Sequence, residues 1–442
     1  MASVLANPTY RNLLSAQVIA LVGTGLATVA LGLLAYDIAG ADAGAVLGTA
    51  LAIKMVAYIG VAPVVGAFAD RLPRRAFLIA MDLLRAAVAL ALPWVDQVWQ
   101  IYLLIFVLQS ASAAFTPTFQ ATIPDVLPDE RDYTRALSLS RIAYDLESLA
   151  SPALAAALLT VINFHWLFAG TSLGFMLSAL LVTATALPRS AAAPRTGGIY
   201  ARTTRGLRIY LKTPRLKGLL ALTLAAAAAS AMVIVNTVVL VRSNLGFGQS
   251  SVALALAMYG GGSMLTALTL PRLLDRISDR SVMIVSGALL SALLGALAVA
   301  FAVSSEAMLW PILLGGWFAL GIAYSASVTP SGRLLRRSAN AEDRPALFAA
   351  QFALSHACWL IAYPLAGQVG ARVGQPAAFG ALAALGLVGV VLAIWLWPVE
   401  DASTAHTHPE LAPDHPHLVT AHSGAGHDYV IDDLHAHWPR SG

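Results

Sequence analysis

The sequence predicts an all-α membrane protein of twelve transmembrane helices, arranged as two six-helix repeats with both termini in the cytoplasm. The 442 residues are 58% hydrophobic and only 11% charged, with a mean hydropathy of +0.73. A soluble domain carries about 25% charged residues. Apolar runs of membrane-spanning length recur along the chain, and lysines and arginines favour alternate connections. This composition excludes a water-soluble enzyme and a disordered protein.

The apolar runs define the predicted spans. They fall at residues 12–36, 44–69, 76–95, 99–123, 136–162 and 166–187, and then at 218–241, 250–273, 281–303, 307–330, 345–369 and 376–397. Each is long enough to cross a bilayer as a helix. We therefore predict an N-terminal bundle at 1–187, a cytoplasmic linker at 188–217, a C-terminal bundle at 218–397 and a cytoplasmic tail at 398–442. The short polar N-terminus has no cleavage site, so the first helix is expected to be retained.

The distribution of basic residues predicts the orientation. With the N-terminus inside, 22 of the 27 lysines and arginines fall in cytoplasmic segments, as the positive-inside rule requires. The linker is the most basic segment and holds no acidic residue; its basic residues are Arg189, Arg195, Arg202, Arg205, Arg208, Lys212, Arg215 and Lys217. We expect it to lie against anionic lipid at the inner membrane of a bacterial cell.

An internal repeat supports the division into halves. The segment Gly66–Arg75, with the sequence GAFADRLPRR, is echoed by PRLLDRISDR at Pro271–Arg280. A shift of 205 residues superposes Asp70 on Asp275, Arg71 on Arg276 and Arg75 on Arg280. Two parallel repeats of this kind are a plan that secondary transporters use.

The first of these segments resembles the loop signature of the major facilitator superfamily, G-x-x-x-D-R-x-x-R-R. The resemblance covers residues 1–397 and implies two six-helix bundles that rock about a central site. It also implies that the loop residues latch one conformational state, a role that falls here on Gly66, Asp70, Arg71, Arg75, Asp275 and Arg276.

Ionisable residues inside predicted spans are the candidate transport residues, because charges at membrane depth are costly and are usually paired or functional. The candidates are Lys54, Asp82, Arg141, Asp145, Glu147 and His356. Asp82 and Arg85, three residues apart, favour a structural ion pair. Arg141 and Asp145 share a helix face and could neutralise each other. His356 is either a ligand or a satisfied interior histidine, and Cys358 is expected to face away from it.

The tail contains eight of the ten histidines, at positions 406, 408, 415, 417, 422, 427, 435 and 437. Imidazole is a common ligand of borderline divalent metals. We therefore predict metal ligands at His406, His408, His415, His417, His422, His427, His435 and His437 in a mostly disordered tail. The alternative is a solvated tail without consequence.

The whole pattern is similar to the bacterial Nre-type nickel-resistance exporters. The likeness includes the stretches Gln17–Ala27, Phe115–Asp125 and Tyr133–Arg141. It implies export of Ni²⁺, with Co²⁺ as a further substrate, driven by the proton gradient. No site motif is carried over with this resemblance.

The leading hypothesis is thus a secondary transporter that exports Ni²⁺ or Co²⁺ from the cytoplasm by proton antiport and confers nickel resistance. A proton-driven exporter of a siderophore or an amphipathic drug is the alternative. A third hypothesis is a metal-responsive membrane protein that does not transport. No enzymatic motif is present, and we expect no cofactor, no nucleic-acid partner and a monomer.

Overall fold

The computed structural model describes residues 2–68, 73–127, 157–185, 199–274, 276–339, 343–398 and 429–431. It also describes positions 129, 132, 136, 139, 140, 143, 147, 151, 154 and 155, and positions 435 and 438 in the tail. The regular secondary structure of this part of the chain is helical.

The N-terminal half is built mainly from long helices. After a single turn, α1 (Ala2–Leu5), come α2 (Pro8–Ala39), α3 (Ala43–Phe68), α4 (Arg74–Ala91), α5 (Val98–Val126) and α6 (His165–Thr183). Helix α2 begins at Pro8, four residues before the predicted span, because the Asn7 side chain accepts the N–H of Tyr10 at 3.1 Å and proline suits the first helical position. Helical positions between α5 and α6, among them Glu147 and Ser151, fall in the predicted fifth span.

The linker and the C-terminal half follow the same design. The linker contains α7 (Ile199–Lys212). The long helices of the C-terminal half are α8 (Pro214–Val239), α9 (Gln249–Leu274), α10 (Asp279–Val303), α11 (Glu306–Val328), α13 (Arg344–Arg372) and α14 (Gln375–Leu396), with the short α12 (Ser331–Arg336) between α11 and α13.

These helices agree with the predicted spans wherever the structure describes them. Every predicted span except the fifth coincides with one long helix. Among the described residues, ten stretches are long and apolar enough to cross a membrane, and the first of them, Pro8–Val61, contains α2 and most of α3. The fifth span, 136–162, falls largely outside the described residues, so the total of twelve helices and the cytoplasmic termini stay predictions.

The two halves repeat one pattern of helix packing. Helix α2 packs on α6 as α8 packs on α14, α4 packs on α6 as α10 packs on α14, and α3 packs on α5 as α9 packs on α11. One arginine in each half also makes the same kind of hydrogen bond between equivalent helices. Arg75, the second residue of α4, donates to the carbonyl of Thr183 at the end of α6. Arg280, the second residue of α10, donates to the carbonyl of Trp397 just after α14, at 2.9 Å. The predicted superposition of Arg75 on Arg280 is therefore confirmed.

The halves meet mainly where α3 packs along α13, with smaller contacts of α8 against α2 and α3. We call the end of the bundle that carries α7 the linker side, and the opposite end, with Gly40 and Gly374, the far side. Large apolar side chains such as Trp395 and Val161 are exposed on the outer surface. Such an exposed apolar belt is typical of a surface that faces lipid.

The linker and the tail differ from their predictions at specific residues. Residues 214–217 belong to α8, and Arg215 is buried within the C-terminal half, where it cannot contact lipid. Arg205 of α7 forms a bidentate ion pair with Asp343. In the tail, Val430, Ile431 and His435 are buried, so the prediction of a mostly disordered segment is wrong for these positions. Their apolar and aromatic side chains gain enough contact to hold them in place.

Candidate functional site

Small residues bring α3 and α13 into backbone contact in the half of the interface toward the far side. A Cβ atom on Gly48 would lie 2.5 Å from the carbonyl oxygen of Tyr363. A Cβ atom on Gly367 would lie 2.2 Å from the carbonyl oxygen of Gly44. Both contacts are too short for any side chain, so glycine is required at these positions. The far side of this interface is therefore closed by direct helix packing.

Closer to the linker side, α3, α13 and the fifth span together contribute a cluster of charged and aromatic side chains. We call Lys54, Tyr58, Glu147, Phe352 and His356 the Lys54 cluster. The Lys54 ammonium lies 5.8 Å from the centre of the Tyr58 ring. That ring stacks on His356, with centroids 5.2 Å apart and planes 5° from parallel, and lies 5.7 Å from the ring of Phe352. The cluster therefore joins the two halves across their interface.

Glu147 supplies the negative charge of the Lys54 cluster. Glu147 lies near enough to Lys54 for the two charges to influence each other, and both residues are partly buried. A Cβ atom on Gly25 of α2 would lie 3.1 Å from a carboxylate oxygen of Glu147, so the fifth span packs closely on α2. Opposite charges at membrane depth stabilise each other because either one alone is costly there. Their interaction makes the charge on Lys54 sensitive to the protonation of Glu147.

His356 is held by its own helix and by the stacked rings. Its Nδ1 lies 2.6 Å from the carbonyl oxygen of Phe352, one turn earlier, so Nδ1–H donates and Nε2 is left as an acceptor. The nearby Lys54 charge also acts on this ring. Cys358 lies against α8, with its Sγ 3.6 Å from the carbonyl of Leu354, which agrees with the prediction that it faces away. Since Nε2 keeps its acceptor lone pair, this geometry fits both predicted alternatives for His356, an interior histidine and a ligand.

A narrow cavity opens beside Lys54 inside the N-terminal half. Its polar lining comes from Thr24, Thr28, Gln109 and Ser112, and its apolar lining includes Phe175. The hydroxyls of Thr24, Thr28 and Ser112 each donate to a backbone carbonyl four residues earlier. The cavity has room for about one water molecule. It is therefore an extension of the charged site in a closed state and not a preformed drug pocket.

Asp82 and Arg85 form the ion pair that their spacing predicts. The two side chains are buried and bonded to each other. Asp82 also accepts the hydroxyl of Ser178 on α6 at 2.8 Å. The Arg85 guanidinium lies 4.3 Å from the ring centre of Phe115 and 4.5 Å from that of Phe175. These contacts join α4 to α5 and α6, so the pair has a structural role within the N-terminal half.

The remaining predicted transport residues and several latch residues cannot be placed. Arg141 and Asp145 lie outside the described residues, as do Asp70, Arg71 and Asp275. Gly66 belongs to α3, and Arg276 is exposed just before α10. Their latch roles stay predictions that rest on the resemblance.

Asp279, within the second copy of the repeated segment, is a residue whose role the sequence interpretation missed. It is the first residue of α10 and is almost fully buried. Arg333 of α12 binds both of its carboxylate oxygens, and Arg337 approaches one of them at 3.7 Å. Arg333 also donates to the carbonyl of Leu274 at the end of α9. The repeat drew attention to Asp275, although the position of Asp279 after the N-cap Ser278 was the available signal of a stabilised helix start.

Of the eight tail histidines, the structure places His435, while the other seven lie outside the described residues. His435 is buried, and its ring lies 4.5 Å from that of Tyr429. Among the described residues, no group of three His, Cys, Asp or Glu side chains could hold a metal ion. Metal binding by the tail stays a prediction for all eight histidines, His435 among them.

Long apolar helices in two repeated halves, with a charged cluster between them, are an architecture that many membrane transporters share. The profile of the Major Facilitator Superfamily matches residues 13–240 and 219–425. The chain belongs to this superfamily and is a multi-pass membrane transporter. The general resemblance noted from the loop signature is thereby confirmed, whereas nothing in these comparisons supports the narrower resemblance to nickel exporters.

Sequence relatives include transporters and drug exporters. The chain is 27% identical over 213 residues to the uncharacterized MFS-type transporter YfiS of Bacillus subtilis, an alignment that covers 46% of this chain and 50% of YfiS. It is 26% identical over 153 residues to macrolide efflux protein A of Streptococcus pyogenes, covering 32% of this chain and 38% of that protein. The aligned part thus spans half or less of the length of these two relatives.

Solved structures share the fold at low sequence identity. A variant of the nucleoside transporter NupG aligns with a TM-score of 0.70 and 13% identity, over 88% of this chain and all of that chain. The D-xylose-proton symporter aligns with a TM-score of 0.65 and 13% identity, over 90% of this chain and 98% of that one. These likenesses establish the helical architecture of the superfamily.

Proposed function

We propose that the protein is a proton-coupled exporter of amphipathic organic compounds, with compounds that carry a positive charge as the favoured class. The observation that carries this proposal is the Lys54 cluster, an opposite-charge pair flanked by aromatic rings where the two halves meet. The similarity to macrolide efflux protein A supports export of a drug-type compound. Of the two cargoes considered from the sequence, this geometry suits the organic one better.

The charge pair provides a physical basis for coupling. With Glu147 ionised, its charge offsets that of Lys54, and an organic cation can approach the rings of Tyr58 and Phe352. With Glu147 protonated, the charge on Lys54 is no longer offset, and the same cation is repelled. Proton and cation therefore exclude each other from one site, which is the requirement for antiport. Rocking of the halves would expose this site to each side in turn.

A divalent metal ion fits this cluster less well. Lys54 competes for the carboxylate of Glu147 and repels a doubly charged ion. Export of Ni²⁺ or Co²⁺ is the second candidate function, favoured by the histidine content of the tail. In that case the tail would concentrate metal near the transport path.

Transport by cells that lack their own exporters tests both candidates. Cells that make the protein should accumulate less ethidium and tolerate more macrolide, and Glu147→Gln should abolish both effects. Glu306→Gln makes the same chemical change at an exposed position at the start of α11 and should leave export intact. Unchanged ethidium and macrolide levels together with lower cellular nickel would refute the organic cargo and favour the metal.

Placement in the cell follows from the same proposal. We infer that the protein lies in the bacterial inner membrane with both termini in the cytoplasm, because most basic residues fall on that predicted side. Exposed linker residues such as Arg208 would then face anionic lipid. We further infer that it works as a monomer.

A further inference from the structure

Five described residues of the tail pack against the linker side of the C-terminal half. We call Tyr429, Val430, Ile431, His435 and Trp438 the strap. Val430, Ile431 and His435 are 7%, 3% and 4% exposed. Segments outside helices and strands usually lie exposed on the surface, so burial to this extent requires close packing against other elements. The strap therefore has a binding surface on the rest of the molecule.

The centre of that surface is Arg215, in the first turn of α8. Its side chain is buried, at 3% exposure. The guanidinium donates to the hydroxyl of Ser338 at 2.8 Å and to the carbonyl of Arg337 at 2.9 Å, both just beyond α12. It also donates to the carbonyl of Tyr429 at 3.2 Å. A buried guanidinium needs such acceptors because each unsatisfied N–H is costly.

The aromatic residues of the strap complete the enclosure of Arg215. The guanidinium lies 5.3 Å from the ring centre of Trp438, within the range of a cation–π interaction. The ring of Tyr429 meets Trp438 edge-on at 5.3 Å and lies 4.5 Å from the ring of His435. The strap thus folds back on itself, so that its first and last described residues both contact the same arginine.

Apolar side chains from several elements form the floor of the surface. Ile431 shares one buried cluster with Ile209 and Tyr210 of α7, Leu334 and Leu335 of α12, and Trp397 after α14. All of these elements belong to the linker or to the C-terminal half. The strap therefore bridges the linker helix to that half without crossing to the N-terminal half.

We propose that the surface around Arg215 is a peptide-binding site whose occupant is this chain's own C-terminal segment. The strap docks there as a ligand would, through a backbone carbonyl, an indole ring and an apolar anchor, and it fixes α7 and the start of α8 against α12. Trp397 and Ile431 belong to the same buried cluster, so the strap docks beside the end of α14. This proposal is independent of the transported compound.

A cleavable version of the full-length protein tests the docking. A protease site inserted after Gly424 allows the segment that follows to be cut from the purified protein, and gel filtration then measures whether the fragment stays bound. We expect the fragment to co-elute with the protein. In Trp438→Ala, which alters only the fragment, we expect dissociation to be at least about tenfold faster, as for loss of an aromatic anchor.

Arg215→Gln should release the fragment in the same way, whereas Arg208→Gln, at an exposed position of α7, should retain it. Elution volume and thermal unfolding report whether each variant is folded, and if Arg215→Gln fails to fold, the Trp438→Ala result decides. Loss of the fragment from the otherwise unaltered protein as fast as from Trp438→Ala overturns the proposal. Equally slow loss of the fragment from the unaltered protein and from Trp438→Ala overturns the proposal as well.

Discussion

Lys54 and Glu147 place opposite charges at membrane depth, where each stabilises the other. Their positions in apolar runs made both residues, together with His356, predictable from sequence, because charge at that depth rarely persists without a role. Their aromatic neighbours could not be predicted. Tyr58 and Phe352 look like ordinary members of apolar helices until the packing of α3 on α13 brings their rings together.

Asp82 shows that charge inside a span does not by itself mark a transport residue. Asp82→Asn should lower the free energy of unfolding by about 3–5 kcal/mol, because it leaves the buried Arg85 without its counter-charge. Transport per folded molecule should stay close to that of the unaltered protein. Thermal unfolding and export assays normalised to folded protein measure the two effects.

Asp96→Asn is the matched control for that prediction, since Asp96 is exposed between α4 and α5. A surface substitution of this kind changes stability by about 0.5 kcal/mol or less. If Asp82→Asn unfolds as the control does while export is lost, Asp82 belongs to the transport site and its structural assignment is wrong.

Among the helices, the contact of α3 with α13 depends on glycine more than on side-chain packing. Gly48→Ala places a methyl group against the Tyr363 carbonyl, where a Cβ has only 2.5 Å of space. We expect the free energy of unfolding to fall by about 1–3 kcal/mol, the usual cost of overpacking. Thermal unfolding of the purified protein measures the change.

Gly380→Ala in α14 provides the control, because nothing lies within 4 Å of a Cβ at that position. Its higher helix propensity should stabilise the protein by up to about 1 kcal/mol. The two alanine substitutions therefore have opposite predicted signs. Equal effects would mean that the far side of the interface is not closed by backbone contact.

Helix positions were predictable from the sequence because apolar runs of spanning length leave little choice of structure. The equivalence of Arg75 and Arg280 was predictable from the repeat. The partners of these arginines were not, since the carbonyls of Thr183 and Trp397 carry no sequence signal. Asp279 was missed for a related reason, because its ion pair is with Arg333, more than 50 residues away in the sequence.

For the whole molecule, the repeat and the basic linker predicted two packed halves, and the superfamily match agrees with them. The tail was harder to interpret. Its histidines suggested a disordered metal-binding segment, whereas the described part is held by a few apolar and aromatic residues such as Tyr429, Ile431 and Trp438. The average composition of the tail gave no indication of the few residues that bind it to the C-terminal half.

The central claim is that Glu147, paired with Lys54, couples proton movement to export. The most direct test is transport in proteoliposomes with an imposed pH gradient. We predict that the unaltered protein accumulates ethidium against its concentration gradient, and that Glu147→Gln neither accumulates nor exchanges ethidium, because the charge on Lys54 is then not offset. Accumulation by Glu147→Gln that still follows the pH gradient would contradict the account.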